Sequence, residues 1–410
     1  MKRNKFILSL LVAVFFLGCP RENIQKTPNP NPSTFKNNKL LLISMDGFRW
    51  DYLDMVETPN LDRFIKNGVK AESLIPSFPS KTFPNHYSIV TGSYPSNHGL
   101  ISNHMYDEKL DAYYTIGSGA TAVRDGRWYQ REPIWVTAEK NDIETGIYYW
   151  PGSEAKIFGH RPTNFKVYNP NVSWDSRVDQ IVSWLKEPSI GFTALYFNEP
   201  DKQGHAYGPA TPQVFEKIKI LDKTLGRLFS LMEEEKLDKK TNIIIVSDHG
   251  MASINHKDVI YLDDYINLND VEIIDWFPVA AIRPKSGKTE KIYDQLKNAH
   301  PSLQVYLKDS IPSKFHYSGN VRIQPITAIA DLHFTISSHQ RGSYSGGAHG
   351  YDPDHKEMHA IFFANGPDFK SDHIVPSKEN IHIYELMCKL LEITPSENDG
   401  KLEAVSDMLK

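Results

Sequence analysis

Residues 242–250 read NIIIVSDHG, and the way this stretch is taken settles the fold class. A short apolar run without polar alternation suits a strand buried on both faces. Such strands belong to sheets covered by helices on either side, where ligands gather beyond the carboxyl ends of the strands. Asp248 and His249 stand at that end. The form recurs in LLLISMD at 40–46, in GFTALYF at 191–197, which leads through Asn198-Glu199-Pro200 to Asp201 and His205, and in HAIFFA at 359–364. Helical patterns with legible starts lie between these runs. Thr58-Pro59 precedes Leu61, Phe64 and Ile65, and Thr211-Pro212 precedes Val214, Ile218, Leu221, Leu225, Leu228 and Met232. The expectation is an α/β fold, a mostly parallel sheet with helices on both faces. Residues 262–338 fit this alternation poorly and read as an excursion or small inserted cap, with no chemistry assigned.

At 410 residues the chain has room for two average domains or one large α/β domain. Lys2, Arg3 and Lys5 precede an apolar run over 6–17 that ends in Gly18-Cys19. A basic start and so short an apolar core read as a secretory signal rather than a spanning helix. The small residue before Cys19 resembles a bacterial lipoprotein cleavage site. Residues 1–18 are therefore expected to be removed, Cys19 to carry lipid, and the Pro- and Asn-rich residues 19–38 to form a tether to a domain over 39–410. An ordinary cleaved signal with a chance cysteine is the alternative. This places the protein in a bacterial cell envelope, exported and lipid-anchored, periplasmic or outer-membrane associated. Cys388 is the only other cysteine, so no intramolecular disulfide is expected. Removal of 1–18 leaves 43 basic against 50 acidic residues, a formal charge of −7. That balance, with no basic block, argues against general electrostatic binding of nucleic acid.

Asp46, Asp201, His205, Asp248, His249 and His349 are three carboxylates and three imidazoles, a set suited to zinc or a similar divalent ion and sufficient for two. Singly, each reads as well as a helix cap or a surface histidine. Strand after strand delivering one to the same sheet edge is harder to explain by capping. Lys202-Gln203-Gly204 between Asp201 and His205 allows a loop or a helix, and Gly250 after Asp248-His249 permits a sharp turn. Thr82 lies in SKTFPNHYSIVTG, 80–92, at the entry to an expected helix with Pro84 in its first turn and Gly92 at its exit. A hydroxyl there ordinarily caps. Beside a metal pair it becomes a usable nucleophile, and the helix start offers backbone N–H groups to a phosphate.

The segments SMDGFRWDY, SKTFPNHYSIVTGSYPSNHG, NHMYD, EPIW, YYWPGSE, EPDKQGHAYGP, VSDHGM and GAHGYDP occur in that order over roughly residues 40 to 355. Together they resemble the nucleotide pyrophosphatase/phosphodiesterase family of the alkaline phosphatase superfamily. The resemblance implies an alkaline-phosphatase-like fold and two Zn2+ ions, one held by Asp46, Thr82, Asp248 and His249 and one by Asp201, His205 and His349. It implies Thr82 as a nucleophile forming a nucleotidyl-threonine that water hydrolyses, releasing a nucleoside monophosphate. Asn103 matches the donor to a non-bridging phosphate oxygen, and Phe83 and Tyr168 match an aromatic pair that holds a nucleobase. Tyr168 reads equally as a half-buried core tyrosine, and Trp150 as packing. The implied substrates are extracytoplasmic nucleotides. Choline phospholipid diesters or phosphomonoesters acted on by the same metals are one alternative, and an inactive ligand-capturing lipoprotein is another. Oligomeric state is left open.

Overall fold

The computed structural model describes residues 35, 37–117 and 120–410. The expected signal and lipid site at Cys19, and the tether apart from Phe35, Asn37 and Asn38, lie outside the described residues. Phe35 donates its N–H to Pro188 O at 2.9 Å and packs against the core.

Strand Lys39–Met45 is flanked in parallel by Thr241–Val246 and Ile190–Phe197, and beyond the latter by Glu144–Tyr148 and Asn164–Lys166. On the other edge Phe362–Asn365 runs antiparallel to Thr241–Val246, and Val69–Ala71 and His373–Val375 complete eight strands. Side chains alternate across a strand, so Leu40 and Leu42 enter one core while Leu41, Ile43 and Met45 enter the other. Helices Thr82–Thr91, Ile134–Lys140 and Ile383–Leu391 cover the first face. Pro59–Lys66, Trp174–Lys186 and the 23-residue Pro212–Glu234 cover the second. Both faces being dry explains why these strands are continuously apolar rather than alternating. In the run at 359–364 the ladder to Thr241–Val246 begins at Phe362; ahead of it Ala360 makes isolated bridges to Leu74 and Arg49, Met358 O accepts from Gly250 N and His359 O from Trp50 N.

The inserted region builds its own antiparallel sheet, Val271–Asp275, Val279–Pro284, Ile326–Ala330 and Leu303–Leu307 in spatial order. Helix Thr289–Leu296 covers it, and Ile282, Ile292, Leu296 and Ile326 form a separate core. It is therefore a folded subdomain rather than a loop. Among the described residues no helix is long and apolar enough to cross a membrane.

Candidate active site

Met45 is the last residue of its strand, and Asp46 follows it with its N–H bonded to Phe197 O; Asp46 O in turn accepts from Asp201 N at 2.9 Å. Gly47, at φ +67°, makes this junction possible, since a Cβ there would lie 2.7 Å from Asp201 Cβ. Asp201 opens the helix Asp201–Tyr207 that carries His205, so the helical alternative for this pair is the one realised. His349 follows strand Gly346–Ala348, antiparallel to Ala252–Ile254. Glycine brings it close to His205: a Cβ on Gly347 would stand 2.5 Å from Gly204 O, and one on Gly346 2.2 Å from His205 O. Gly250 has the same use. It does not take the left-handed turn that the sequence allowed; instead a Cβ there would meet Glu357 O at 2.1 Å.

The six residues meet in two groups, Asp46 with Asp248 and His249, and Asp201 with His205 and His349, the donor atoms within each lying inside 4.8 Å of one another. The His249 and His349 rings stack at 3.5 Å and join the groups. All three imidazoles bind a backbone carbonyl through Nδ1: His205 to Gly347 O, His249 to Gly250 O and His349 to Ser80 O, at 2.8–2.9 Å. Donation from Nδ1–H fixes the tautomer and turns the Nε2 lone pairs inward. His349 Nε2 is then 3.1 Å from His205 Nε2, and His249 Nε2 is 3.0 Å from Asp248 Oδ2 and 3.6 Å from Asp46 Oδ1. Asp46 Oδ1, Asp201 Oδ1 and Asp248 Oδ2 are buried without a hydrogen-bond partner among the described residues. Acceptors crowded together, three of them orphaned, are costly unless a cation lies among them. The donor set therefore fits divalent metal.

The electrostatics agree. Burial, then the neighbouring Asp248 and Asp201 charges, raises the Asp46 carboxyl well above its ordinary range. Burial raises Asp201 to about 7. Burial and two neighbouring imidazoles push His349 far down, whereas His249, against the pull of burial, is held up by Asp248. Asp46 and His349 thus face like charge in a dry place, while His249 is balanced by Asp248; a bound cation relieves the crowding of the carboxylates.

Helix Thr82–Thr91 has Pro84 in its first turn and Gly92 left-handed at its exit, as the sequence suggested, with Lys81 at the cap position. Thr82 does not cap it. Its Oγ1 lies 3.2 Å from His249 Nε2 and borders a cavity of about 270 Å3 shared with Asp46, Asp201, Phe83, Tyr149 and Tyr168. The expected row of N–H donors at this helix start is corrected: Phe83 N–H is bonded to Asn103 Oδ1 at 3.0 Å and Pro84 has none. That bond leaves Asn103 with its amide NH2 as the free donor end. Phe83 and Tyr168 wall the same cavity, Tyr168 being 45% exposed and edge-on to Tyr149, so it is not a core residue. Trp150 is buried, donates to His86 O at 3.0 Å and also lines this cavity.

Five supporting residues were not legible. His86, one helical turn after Thr82, bonds Thr82 O and Ser44 Oγ and lies 3.2 Å from Asp248 Oδ2. The i, i+4 spacing from Thr82 was its only sequence signal. Tyr196 donates to Asp46 Oδ2 at 2.6 Å from within an apolar strand. Lys81 and Ser102 both bind Asp275 Oδ2 at 2.5 Å, tying the inserted sheet to the start of the Thr82 helix.

Fold and site together define a metal-dependent hydrolase of the alkaline phosphatase superfamily. The family model "Type I phosphodiesterase / nucleotide pyrophosphatase" matches residues 40–352. Human ectonucleotide pyrophosphatase/phosphodiesterase family member 5 is 39% identical over 90% of this chain and 78% of its own length. Bis(5'-adenosyl)-triphosphatase enpp4 of Xenopus laevis is also 39% identical, over 92% of this chain and 83% of its own. The structure of murine family member 5, an inactive threonine-to-alanine variant in complex with AMP, superposes with a TM-score of 0.89 at 38% identity, covering 91% of this chain and 100% of that one. The chain belongs to the type I phosphodiesterase/nucleotide pyrophosphatase family.

Proposed function

We propose that the protein hydrolyses phosphodiester and pyrophosphate bonds of extracytoplasmic nucleotides through a covalent threonine intermediate at a two-zinc site. The observation carrying this is Thr82 Oγ1 placed against His249 at the mouth of the aromatic cavity, bordered by a carboxylate from each donor group. Asp46, Asp248 and His249, with Thr82, would hold one ion, and Asp201, His205 and His349 the other. Nitrogen and carboxylate donors without thiolate suit Zn2+. Bound there, the pair would neutralise phosphate charge and lower the pKa of the Thr82 hydroxyl.

Phe83 and Tyr168 offer π-faces to a nucleobase, which favours nucleotides without choosing among them. Asn103 donates to a non-bridging oxygen as charge develops there. Thr82 Oγ1 attacks phosphorus, the bond to the leaving oxygen breaks, and water then cleaves the Thr82–phosphorus ester to give a nucleoside monophosphate and restore the hydroxyl. AMP bound to the inactive threonine variant of the murine relative supports both the substrate class and the threonine.

Thr82→Ala should lower turnover of a nitrophenyl nucleotide ester at least about 1,000-fold while about two zinc per chain stay bound. Substantial retained turnover refutes the nucleophile, and a much better rate on nitrophenyl phosphate or a choline diester refutes the substrate class. We propose also that Cys19 carries a lipid holding the enzyme to a bacterial envelope membrane, supported by the basic and apolar residues before it. Cys19→Ser should move the protein to the soluble fraction, and unchanged membrane association refutes the anchor.

A further inference from the structure

The inserted subdomain reaches the site where its strand Val271–Asp275 ends, and residues 273–277 line a cavity of about 510 Å3 together with Asn103, His205 and His349. Regular alternation would put Asp275 on the face of Val271 and Ile273, which pack into the subdomain's own core. The pairing with Val279–Pro284 instead slips between Ile273 and Asp275. A bulge of this kind re-aims a side chain, and Asp275 is turned out of that core and buried against the catalytic domain. Its Oδ1 accepts from Trp276 N at 2.9 Å, which fixes the carboxylate. Its Oδ2 accepts from both Lys81 Nζ and Ser102 Oγ at 2.5 Å, and those two groups lie 3.2 Å from each other.

Lys81 stands immediately before Thr82, and Ser102 immediately before Asn103. One oxygen atom of the inserted subdomain therefore grips the residue ahead of each. The Thr82 side has further restraints, since Thr82 opens a helix and Ser80 Oγ binds Tyr351 O and Gly350 N. The Asn103 side has few. Residues 101–104 belong to no helix or strand. Besides the contacts of Ser102, their hydrogen bonds among the described residues are Tyr317 OH to Ile101 O at 3.3 Å and Phe83 N–H to Asn103 Oδ1 at 3.0 Å. A buried ion pair often adds little net stability over apolar packing; what this one fixes is geometry. We propose that Asp275 is a positioning residue for phosphoryl transfer, setting the separation of the Thr82 nucleophile and the Asn103 donor from a subdomain that supplies neither. This rests on the roles proposed above for Thr82 and Asn103.

Measuring kcat and KM for a nitrophenyl nucleotide ester per zinc-loaded chain separates positioning from folding. Asp275→Ala should lower kcat about 10- to 100-fold, the effect of misplacing reacting groups by up to about 1 Å, with KM within about twofold and zinc retained. Asp275→Asn, which keeps an oxygen for the Ser102 hydroxyl, should recover part. Asp275→Ala also leaves the Lys81 ammonium buried without its partner and can cost the fold, so Ser102→Ala, which keeps the ion pair, is the second variant. It should lower kcat at least about fivefold at a near wild-type melting temperature. In an Asn103→Ala background the same Ser102 change should cost less than about twofold, since the group it places is gone. Wild-type kcat in Ser102→Ala, or a loss that persists in full without the Asn103 amide, overturns the positioning role. A gain in kcat/KM in Asp275→Ala does so too, because the freed ammonium would then be serving the substrate directly. If Asn103→Ala turns over at the wild-type rate, or the unaltered enzyme hydrolyses no nucleotide ester, the roles assigned above fail and this one with them, so the two failures are distinct.

Discussion

Replacing Tyr196 by Phe removes one oxygen atom from the surroundings of the site and should loosen one metal ion only. The phenol donates to Asp46 Oδ2 at 2.6 Å, leaving Oδ1 without a hydrogen-bond partner among the described residues and within the group shared with Asp248 and His249. Burial, followed by the Asp46 charge, raises the Tyr196 pKa well above its ordinary value, so the phenol stays protonated and remains a donor. Phenylalanine retains the ring contacts, 5.2 Å to His86 and 6.5 Å to Tyr168, so the fold should persist. A hydrogen bond to a charged group contributes about 1.5–3 kcal/mol. At about 1.4 kcal/mol per decade this is about 10- to 100-fold in affinity, the usual effect of removing a partner that orients a metal ligand. Competition with a chromogenic chelator would resolve the two ions of the proposed site. One equivalent should weaken by that factor, the other should hold, and turnover should fall with occupancy of the weakened site. Wild-type affinity for both, or equal weakening of both, would refute the assignment of Asp46 and of the hydrogen bond that orients it.

Two further outcomes concern stability. Buried His98 accepts the Leu100 N–H at Nδ1 (3.1 Å) and faces Ser88 Oγ and Pro84 O through Nε2, so a second proton has no place, and burial lowers its pKa to about 3 from 6.5. Between those values the unfolded chain binds a proton that the folded chain refuses. Stability from this group is therefore complete above pH 6.5 and drains as pH falls toward 3, by up to about 1.4 kcal/mol per unit. Urea titrations of His98→Gln from about pH 7 to 4 should show a shallower loss than wild type, and parallel curves would refute the neutral imidazole. Gly250→Ala would press a Cβ to 2.1 Å from Glu357 O, and backbone cannot yield there without shifting Asp248 and His249. Melting should report a loss of about 1–3 kcal/mol or more, with reduced bound metal; wild-type stability and metal content would contradict the close approach.

Much of this protein was legible because its signals are local. Apolar runs at 40–45, 191–197 and 242–247 fix strands buried on two faces, and the acids and histidines after them fall at one edge once those strands are parallel. Thr82 and its helix exit at Gly92 could be placed by the same reading. What the chain order could not show are the contacts made across it. Tyr196 looks like one more strand residue until folding sets its hydroxyl on Asp46. Asp275 is anonymous until the inserted sheet brings it to Lys81. Gly250 and Gly347 look like turn formers, yet they matter because an added Cβ would meet a backbone carbonyl at 2.1 Å and 2.5 Å respectively. The sequence by itself determined which side chains are available and on which end of which strand they ride, since propensity and periodicity act over a few residues. Only the tertiary structure decided which of them meet in one donor group, which are held by a second partner, and which wall of the inserted subdomain borders the donor groups, because those depend on distances between segments far apart in the chain.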